Sequence, residues 1–470
     1  FVFSSEVRAL LASDLVPRKL DQESLSDFFR YQTVHAPRTI LQDVHCLMPG
    51  AYMTVDRSRS ASTVYWKLDP AAAHEAANED YATVCQSVKE RLYQAVERRL
   101  VADVPFGAFL SGGIDSSAIV GIMAGVSSEK PRTFSIVFDE PEFSEQPYSD
   151  LIAKRFNTEH HPLKLNVNRF LEGLPDALAA MDHPSGDGPN TYVVSEVTRQ
   201  AGITMALSGL GGDELFAGYD IFHRSLSLEK KRWLNALPRG VRQQAGNVLQ
   251  RMRPGIAGDK MAGILAQPAV NYLEAYPFSR LTLNERQLRQ VLRDAPAPNR
   301  VAAWSQQWAY RELDPNRVIS TVSALELNTY LQNVLLRDSD QMSMAHALEV
   351  RVPFMDHTLV EYVLGLPDRF KRPTSPKRLL IDALDGLLPD AIINRPKMGF
   401  TFPCAQWLKH ELGAFSAQRL KSLQERSTFN SQGIDLLWRQ FQHGDPAVSW
   451  SRVWPLIVLG NWLEQHRIDS

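Results

Sequence analysis

The residues predict an α/β protein: a parallel sheet with helices on both faces, extended by a helical C-terminal part and preceded by the end of an α+β domain. Three observations carry that prediction. From Asp80 to Leu207, short apolar runs alternate with amphipathic stretches, the pattern of strands joined by crossover helices. Two glycine-rich segments fall where such a strand should end and a helix begin. Beyond about residue 220, helical periodicity dominates, which suggests a cap packed on the sheet.

The elements follow in order. Residues 1–66 read as the closing part of a mainly β or mixed domain. Strands are expected at 1–3, 51–55 and 64–66, short helices at 6–11 and 25–30, and a turn at Met48-Pro49-Gly50. Residues 67–79, rich in Ala, Asp, Glu and Asn, read as a linker, and 80–470 as a second domain. There Val84, Val88, Leu92, Val96 and Leu100 recur at every fourth position and predict a helix over 80–101. Strands are expected at 106–110, 133–138, 160–165 and 204–207, with helices at 115–125, 148–156, 170–181 and 192–200.

Composition removes several function classes. The 51 basic and 53 acidic side chains give a net charge of -2, which argues against a broad nucleic-acid-binding face. Cys46, Cys85 and Cys404 lie too far apart in sequence for a metal-ligand spacing or a disulfide framework, so a reduced, cytoplasmic setting is the default. No apolar run is long enough to span a bilayer. The chain opens Phe-Val-Phe-Ser-Ser-Glu, with neither an initiator Met nor a signal-peptide pattern. It reads as if entered in the middle of a domain, with an upstream segment expected outside it.

The chemistry concentrates in three segments. In Phe109-Leu110-Ser111-Gly112-Gly113-Ile114-Asp115-Ser116-Ser117, a strand-to-helix junction offers free backbone N–H groups with the positive end of a helix dipole behind them. Gly112 and Gly113 allow an anion to approach the backbone, and Ser111, Ser116 and Ser117 add hydroxyl donors. Asp115 would repel a bare phosphate, so it makes sense as a ligand for a divalent cation bridging phosphates. An ordinary capped turn is the bland alternative. The lysine of a P-loop is missing, which suits release of whole pyrophosphate better than transfer of a terminal phosphoryl group. The second segment, Ser208-Gly209-Leu210-Gly211-Gly212-Asp213-Glu214, repeats the arrangement after another strand. Both loops would then meet at the carboxyl ends of parallel strands, with Asp213 a second cation ligand opposite Asp115. The third is Asn394-Arg395-Pro396-Lys397-Met398-Gly399-Phe400, where Lys397 could neutralise charge on the α-phosphate and the leaving pyrophosphate.

These motifs, in this order, resemble the synthetase domain of class B, glutamine-hydrolysing asparagine synthetases, which belongs to the PP-loop ATP pyrophosphatases with a HUP-like sheet. Residues 340–356 also resemble that family. Ala36-Pro37-Arg38-Thr39-Ile40 and Met48-Pro49-Gly50 resemble the final part of its N-terminal, Ntn-type glutaminase domain. The resemblance implies that the 111–117 loop holds pyrophosphate and that Asp115 and Asp213 coordinate magnesium. It implies that Phe109, Ile136, Ser208 and Gly209 border ATP, that Lys397 contacts phosphate during adenylylation, and that Glu349 and Arg351 are structural or support the site from behind, a buried ion pair being the blander reading. The implied reaction converts a carboxylate (aspartate by default) and ATP into an acyl-adenylate and pyrophosphate. Ammonia, normally from glutamine, then gives the amide and AMP. Partners would be these small molecules and an upstream glutaminase segment, with a homodimer left open.

Three departures qualify the resemblance. No N-terminal cysteine nucleophile stands at Phe1, so the chain as written should not hydrolyse glutamine. Leu210 stands where many members carry Glu, a carboxylate held to assist the amine attack. The 182–192 segment lacks the arginine expected for an aspartate, so Asp187 and Asn190 would shape a different carboxylate pocket. Competing readings are an intramolecular ligase resembling β-lactam synthetases, whose members tend to carry Tyr at the Leu210 position, and a degenerate nucleotide-binding protein. An RNA-modifying enzyme is disfavoured by the missing basic excess and catalytic Cys pair.

Overall fold

The computed structural model describes all residues except 69–78, 139–143, 313, 315, 373, 396–403 and 470; at 167 and 310–312 only the backbone is described. Helices α1 (Val7–Ala12) and α2 (Gln22–Tyr31) lead to an antiparallel hairpin, β1 (Ala51–Val55) and β2 (Ser60–Val64), and then to α3 (Tyr81–Leu100). The expected alternation follows: β3 (Phe106–Phe109), α4 (Ile114–Val126), β4 (Arg132–Phe138), α5 (Gln146–Arg155), β5 (Glu159–Leu165), α6 (Val167–Ala180), α7 (Pro189–Gln200) and β6 (Met205–Leu207). Helices α8 (Gly212–Leu215) and α9 (Asp220–Glu229) open the helical remainder, which returns one more strand to the sheet, β7 (Glu349–Arg351). All pairings in this sheet are parallel, in the order β5-β4-β3-β6-β7.

The inner strands β4, β3 and β6 are short and mainly apolar because both faces are covered, whereas the edge strands β5 and β7 carry charged residues. Successive residues go to opposite faces. Met205 and Leu207 of β6 enter a core with α3, α4 and the helices between 357 and 392, while Ala206 enters another with Phe134, Ile136, α6 and α7. That second core also takes in Leu25, Phe28 and Phe29 of α2 and the C-terminal helices around Trp454 and Trp462. The N-terminal segment is tied to the C-terminal part by a bridge between Lys19 and Asp469 and by the Thr33 hydroxyl donating to the Asn333 carbonyl at 2.8 Å.

Three expectations change. Residues 1–3 form no strand; Phe1 and Phe3 are 78% and 84% exposed, so their apolar character pairs with no sheet. The strand expected at 64–66 ends at Val64 and begins at Ser60, because Tyr65 and Trp66 turn their N–H groups onto the Gly50 carbonyl. Glu349 and Arg351 do pair, at 2.7 Å, but at 58% and 25% side-chain exposure the pair is not buried. Arg351 spends its Nη1 on the carbonyls of Arg99 and Val101, both at 2.9 Å, tying the edge strand to the end of α3.

A more deeply placed ion network joins α3 to the helix at His357–Gly365. Asp356 caps that helix and receives Arg98 at 2.9 Å and Arg99 at 2.8 Å. Burial pushes its carboxyl up, but the Thr358 hydroxyl and the two guanidiniums more than offset this and bring it down to about 2. A depressed carboxylate contributes stability above its unfolded value and loses it as pH falls. Asp356→Asn should therefore lower stability by about 1–2 kcal/mol at pH 7, discounting for the half-exposed Arg98. The gap from wild type should close between about pH 4 and pH 2. Urea unfolding across that range checks it; a gap independent of pH would contradict the assignment.

Candidate functional site

The two glycine-rich loops leave the carboxyl ends of β3 and β6, which are hydrogen-bonded neighbours. Adjacent parallel strands place consecutive strand-to-helix turns side by side, so the loops meet. The contact is close enough that only glycine fits at two points. A Cβ at Gly209 would lie 2.8 Å from the Ser116 nitrogen, and one at Gly212 would lie 2.5 Å from the Asp115 carboxylate. Gly209 thus seats the second loop on the N-terminus of α4.

The first loop is held by its own hydroxyls. Ser111 Oγ and Ser116 Oγ are 3.0 Å apart, Gly113 N–H donates to Ser111 Oγ at 3.3 Å, and Ser116 Oγ donates to the Gly113 carbonyl at 3.3 Å. Ser111, Gly113, Asp115 and Ser116 line a cavity of about 1080 Å³, together with Phe109, Ile136, Asp187, Asn190, Ser208, Gly209, Leu210 and Asp213. That is ample for a nucleotide and a second substrate. Gly112 and Ser117 are placed elsewhere. Gly112, at φ +68°, lies under α5, where a Cβ would come within 2.6 Å of Tyr148 Cβ. Ser117 is fully buried, two residues and about 200° around α4 from Asp115.

Asp115 and Asp213 converge on one cation. Lys377 Nζ lies 2.5 Å from Asp115 and 2.7 Å from Asp213, with side-chain exposures of 8%, 15% and 18%. Burial alone would lower the ammonium's pKa, but the two carboxylates raise it above the usual lysine value. The lysine sits in the left-handed region (φ +56°) ahead of the helix Arg378–Ala383, and its N–H donates to the Phe216 carbonyl at 3.1 Å, which locks it to the second loop. Two carboxylates from different loops, gathered around a single positive charge beside the 111–116 turn, offer the oxygen donors that magnesium takes. That ion is usually held by one or two carboxylates plus substrate phosphates. Among the described residues no cluster of three or more His, Cys, Asp or Glu forms a cage. Lys397, expected to touch phosphate, lies outside the described residues.

The rest of the cavity carries acidic, basic and aromatic side chains. Glu214, 1% exposed, accepts from the Tyr219 hydroxyl at 2.9 Å; burial, then the charges of Asp213 and Glu326, push its carboxyl up to about 7. Asp338 accepts from Ser185 Oγ at 2.6 Å and Gln341 Nε2 at 2.9 Å, and burial and the nearby Asp187 raise it well above the usual carboxylate range. Burial also raises Asp187, whose own carboxylate accepts from Gly188 N–H at 2.9 Å. Asn190 accepts from Thr191 N–H at 2.9 Å. Asp182, at the head of the same segment, is spent on capping α1 through the N–H groups of Val7 and Arg8 at 2.9 and 2.8 Å. Arg280 brings a cation to this wall, paired with Glu326 and stacked 3.6 Å from the Tyr330 ring centroid.

Lys377, Asp338 and Arg280 stand in none of the sequence motifs, and Glu214 stands in the second without a role read for it. Only Lys377 leaves a trace, as a Pro-Lys pair directly ahead of the apolar helical run Leu379, Leu380 and Ala383.

A parallel α/β sheet sets two acidic, glycine-rich turns over one cavity at its strand ends. Residues 87–464 match the asparagine synthase family, and residues 1–66 the glutamine amidotransferase domain. The chain belongs to the asparagine synthase family. It is 27% identical to asparagine synthetase [glutamine-hydrolyzing] 1 of Bacillus subtilis, over 98% of this chain and 71% of that protein. To asparagine synthetase [glutamine-hydrolyzing] 3 of the same organism it is 26% identical, over 87% and 64%. A protein of Penicillium rubens named amidase chyE is 26% identical over 86% of this chain and 64% of its own length. Among the described residues no helix is long and apolar enough to cross a membrane.

Proposed function

We propose that the chain forms an amide from a carboxylic acid at the expense of ATP. The carboxylate attacks the α-phosphorus of ATP, an acyl-adenylate and pyrophosphate result, and ammonia displaces AMP. The observation that carries this reading is the convergence of Asp115 and Asp213, from the turns after β3 and β6, on one cation beside the Ser111–Ser116 turn. Backbone N–H groups at the start of α4 bind the pyrophosphate portion. Asp115 and Asp213 hold magnesium, which when bound neutralises phosphate charge. Phe109, Ile136, Ser208 and Gly209 border the nucleotide. Lys377 keeps the two carboxylates together and supplies a positive charge at the phosphates, a role the sequence had suggested for Lys397, which we retain as a second phosphate contact. Adenylylation serves the chemistry plainly, since a carboxylate oxygen is a poor leaving group and AMP a good one.

Aspartate is the default acceptor, and ammonia from glutamine the default nitrogen source, on the strength of the relatives' names and the match of residues 1–66. Another acid is the second reading. It is favoured by Leu210 on the cavity wall, by the carboxylates Asp187 and Asp338 there, and by a relative named as an amidase. Pyrophosphate release with ATP, magnesium and ammonium should depend on the acceptor acid. Aspartate-dependent release with asparagine as product supports the first reading; release that needs a different acid supports the second. Release independent of every acid tried would sink amide synthesis.

A further inference from the structure

An arginine beside the anion turn is not used by the reaction as described. Arg395 follows the short helix Asp390–Ile393 and lines the cavity with a side chain only 7% exposed. Its Nη2 pairs with Glu145, the residue ahead of α5. The same nitrogen lies 3.7 Å from where a Cβ on Gly113 would stand, so the guanidinium is set against the turn itself. Its carbon lies 4.6 Å from the Tyr148 ring centroid. Tyr148 and Ser149 press on Gly112, both within 3 Å of a Cβ built there. Arg395, Glu145 and Tyr148 therefore form one packed wall against the turn.

The other nitrogen, Nη1, is buried and has no hydrogen-bond partner among the described residues. A guanidinium stays charged and carries its donors in a fixed fork, so pairing Nη2 with Glu145 fixes where Nη1 stands. Leaving such a donor buried and unmet is costly, and the cost is recovered when an anion arrives. The cavity that Arg395 lines holds the turn proposed to bind pyrophosphate, and a charged guanidinium N–H suits a phosphate oxygen.

We infer that Arg395 Nη1 donates to the phosphate oxygens of the ligand bound on the 111–116 turn, with Glu145 and Tyr148 as positioning residues. This rests on the proposed nucleotide site and adds to it a contact that stays with pyrophosphate as the α–β bond breaks.

Calorimetric titration of the whole chain with pyrophosphate and magnesium tests it, without turnover. Arg395→Gln removes both nitrogens and the pairing with Glu145, and it could unfold the wall. Arg395→Lys is the sharper variant, because one ammonium can keep Glu145 paired but cannot also supply the second nitrogen. The inference expects Arg395→Lys to melt near wild type and to bind pyrophosphate about ten- to a hundredfold more weakly, the worth of one charge-assisted hydrogen bond. A purely structural arginine would leave the lysine variant binding as wild type does, and that result overturns the inference while the nucleotide site stands. Wild-type protein that binds no pyrophosphate would overturn both.

Discussion

Asp115→Asn is expected to reduce pyrophosphate release by about 10²–10³-fold while the protein stays folded, because the substitution keeps shape and removes one of the two charges proposed to hold magnesium at the phosphates. The fold should tolerate it. Lys377 keeps its 2.7 Å pairing to Asp213, and the turn remains closed by the Ser111 and Ser116 hydroxyls, neither of which involves the Asp115 side chain. The loss should be partly recovered by raising magnesium, since a weakened ion site is a matter of affinity before it is one of geometry. Initial rates at several magnesium concentrations, with the melting temperature beside them, decide it. A variant as fast as wild type at every magnesium concentration would remove Asp115 from the cation site.

Lys377→Ala has the second large expectation, and it concerns stability as well as rate. Removing the ammonium takes from Asp115 and Asp213, both more than four-fifths buried, the charge that pairs with both of them. Breaking such a pair by deleting one partner costs about 3 kcal/mol or more. Magnesium should restore part of that loss, because a divalent ion can take the position between the carboxylates. The thermal stabilisation of Lys377→Ala by magnesium should therefore exceed that of wild type, where the lysine competes. Equal stabilisation of both proteins would mean that the lysine and the ion do not share the two carboxylates. Pyrophosphate release by the variant should stay low even with magnesium restored, because the charge next to the phosphates is gone.

The sheet was legible because its strands announce themselves twice, as apolar runs and as the places where glycine-rich turns begin. The strands at β3, β4, β5 and β6 fall within a residue of their expected bounds, and Asp80 caps α3 where the four-residue recurrence begins. The pairing of β3 with β6 was not legible from periodicity, yet it is what sets the two acidic turns side by side. β7 escaped notice because a three-residue edge strand carries too little pattern to detect. Phe1 and Phe3 show the reverse error, apolar alternation with no neighbouring strand to pair with.

At the site, the sequence motifs exposed the acidic and glycine positions but not the cation between them. Lys377 is 262 residues from Asp115 along the chain, and a lone lysine ahead of a helix has no local mark of its role. Ser117 was read from its place in the motif, whereas helical rotation carries it into the core. Glu214 stands in the second motif, but nothing in the sequence shows its burial beside Asp213 and Glu326, which pushes its carboxyl up to about 7.

The central claim is that the site cleaves ATP between the α- and β-phosphates. Incubating the protein with ATP, magnesium, ammonium and a panel of carboxylic acids that includes aspartate, and separating the nucleotide products, tests it most directly. AMP and pyrophosphate should form in equal amounts, and only when an acceptor acid is present. ADP with inorganic phosphate would contradict it, because the terminal phosphate would then be the group transferred and the Asp115–Asp213–Lys377 cluster would serve a different reaction.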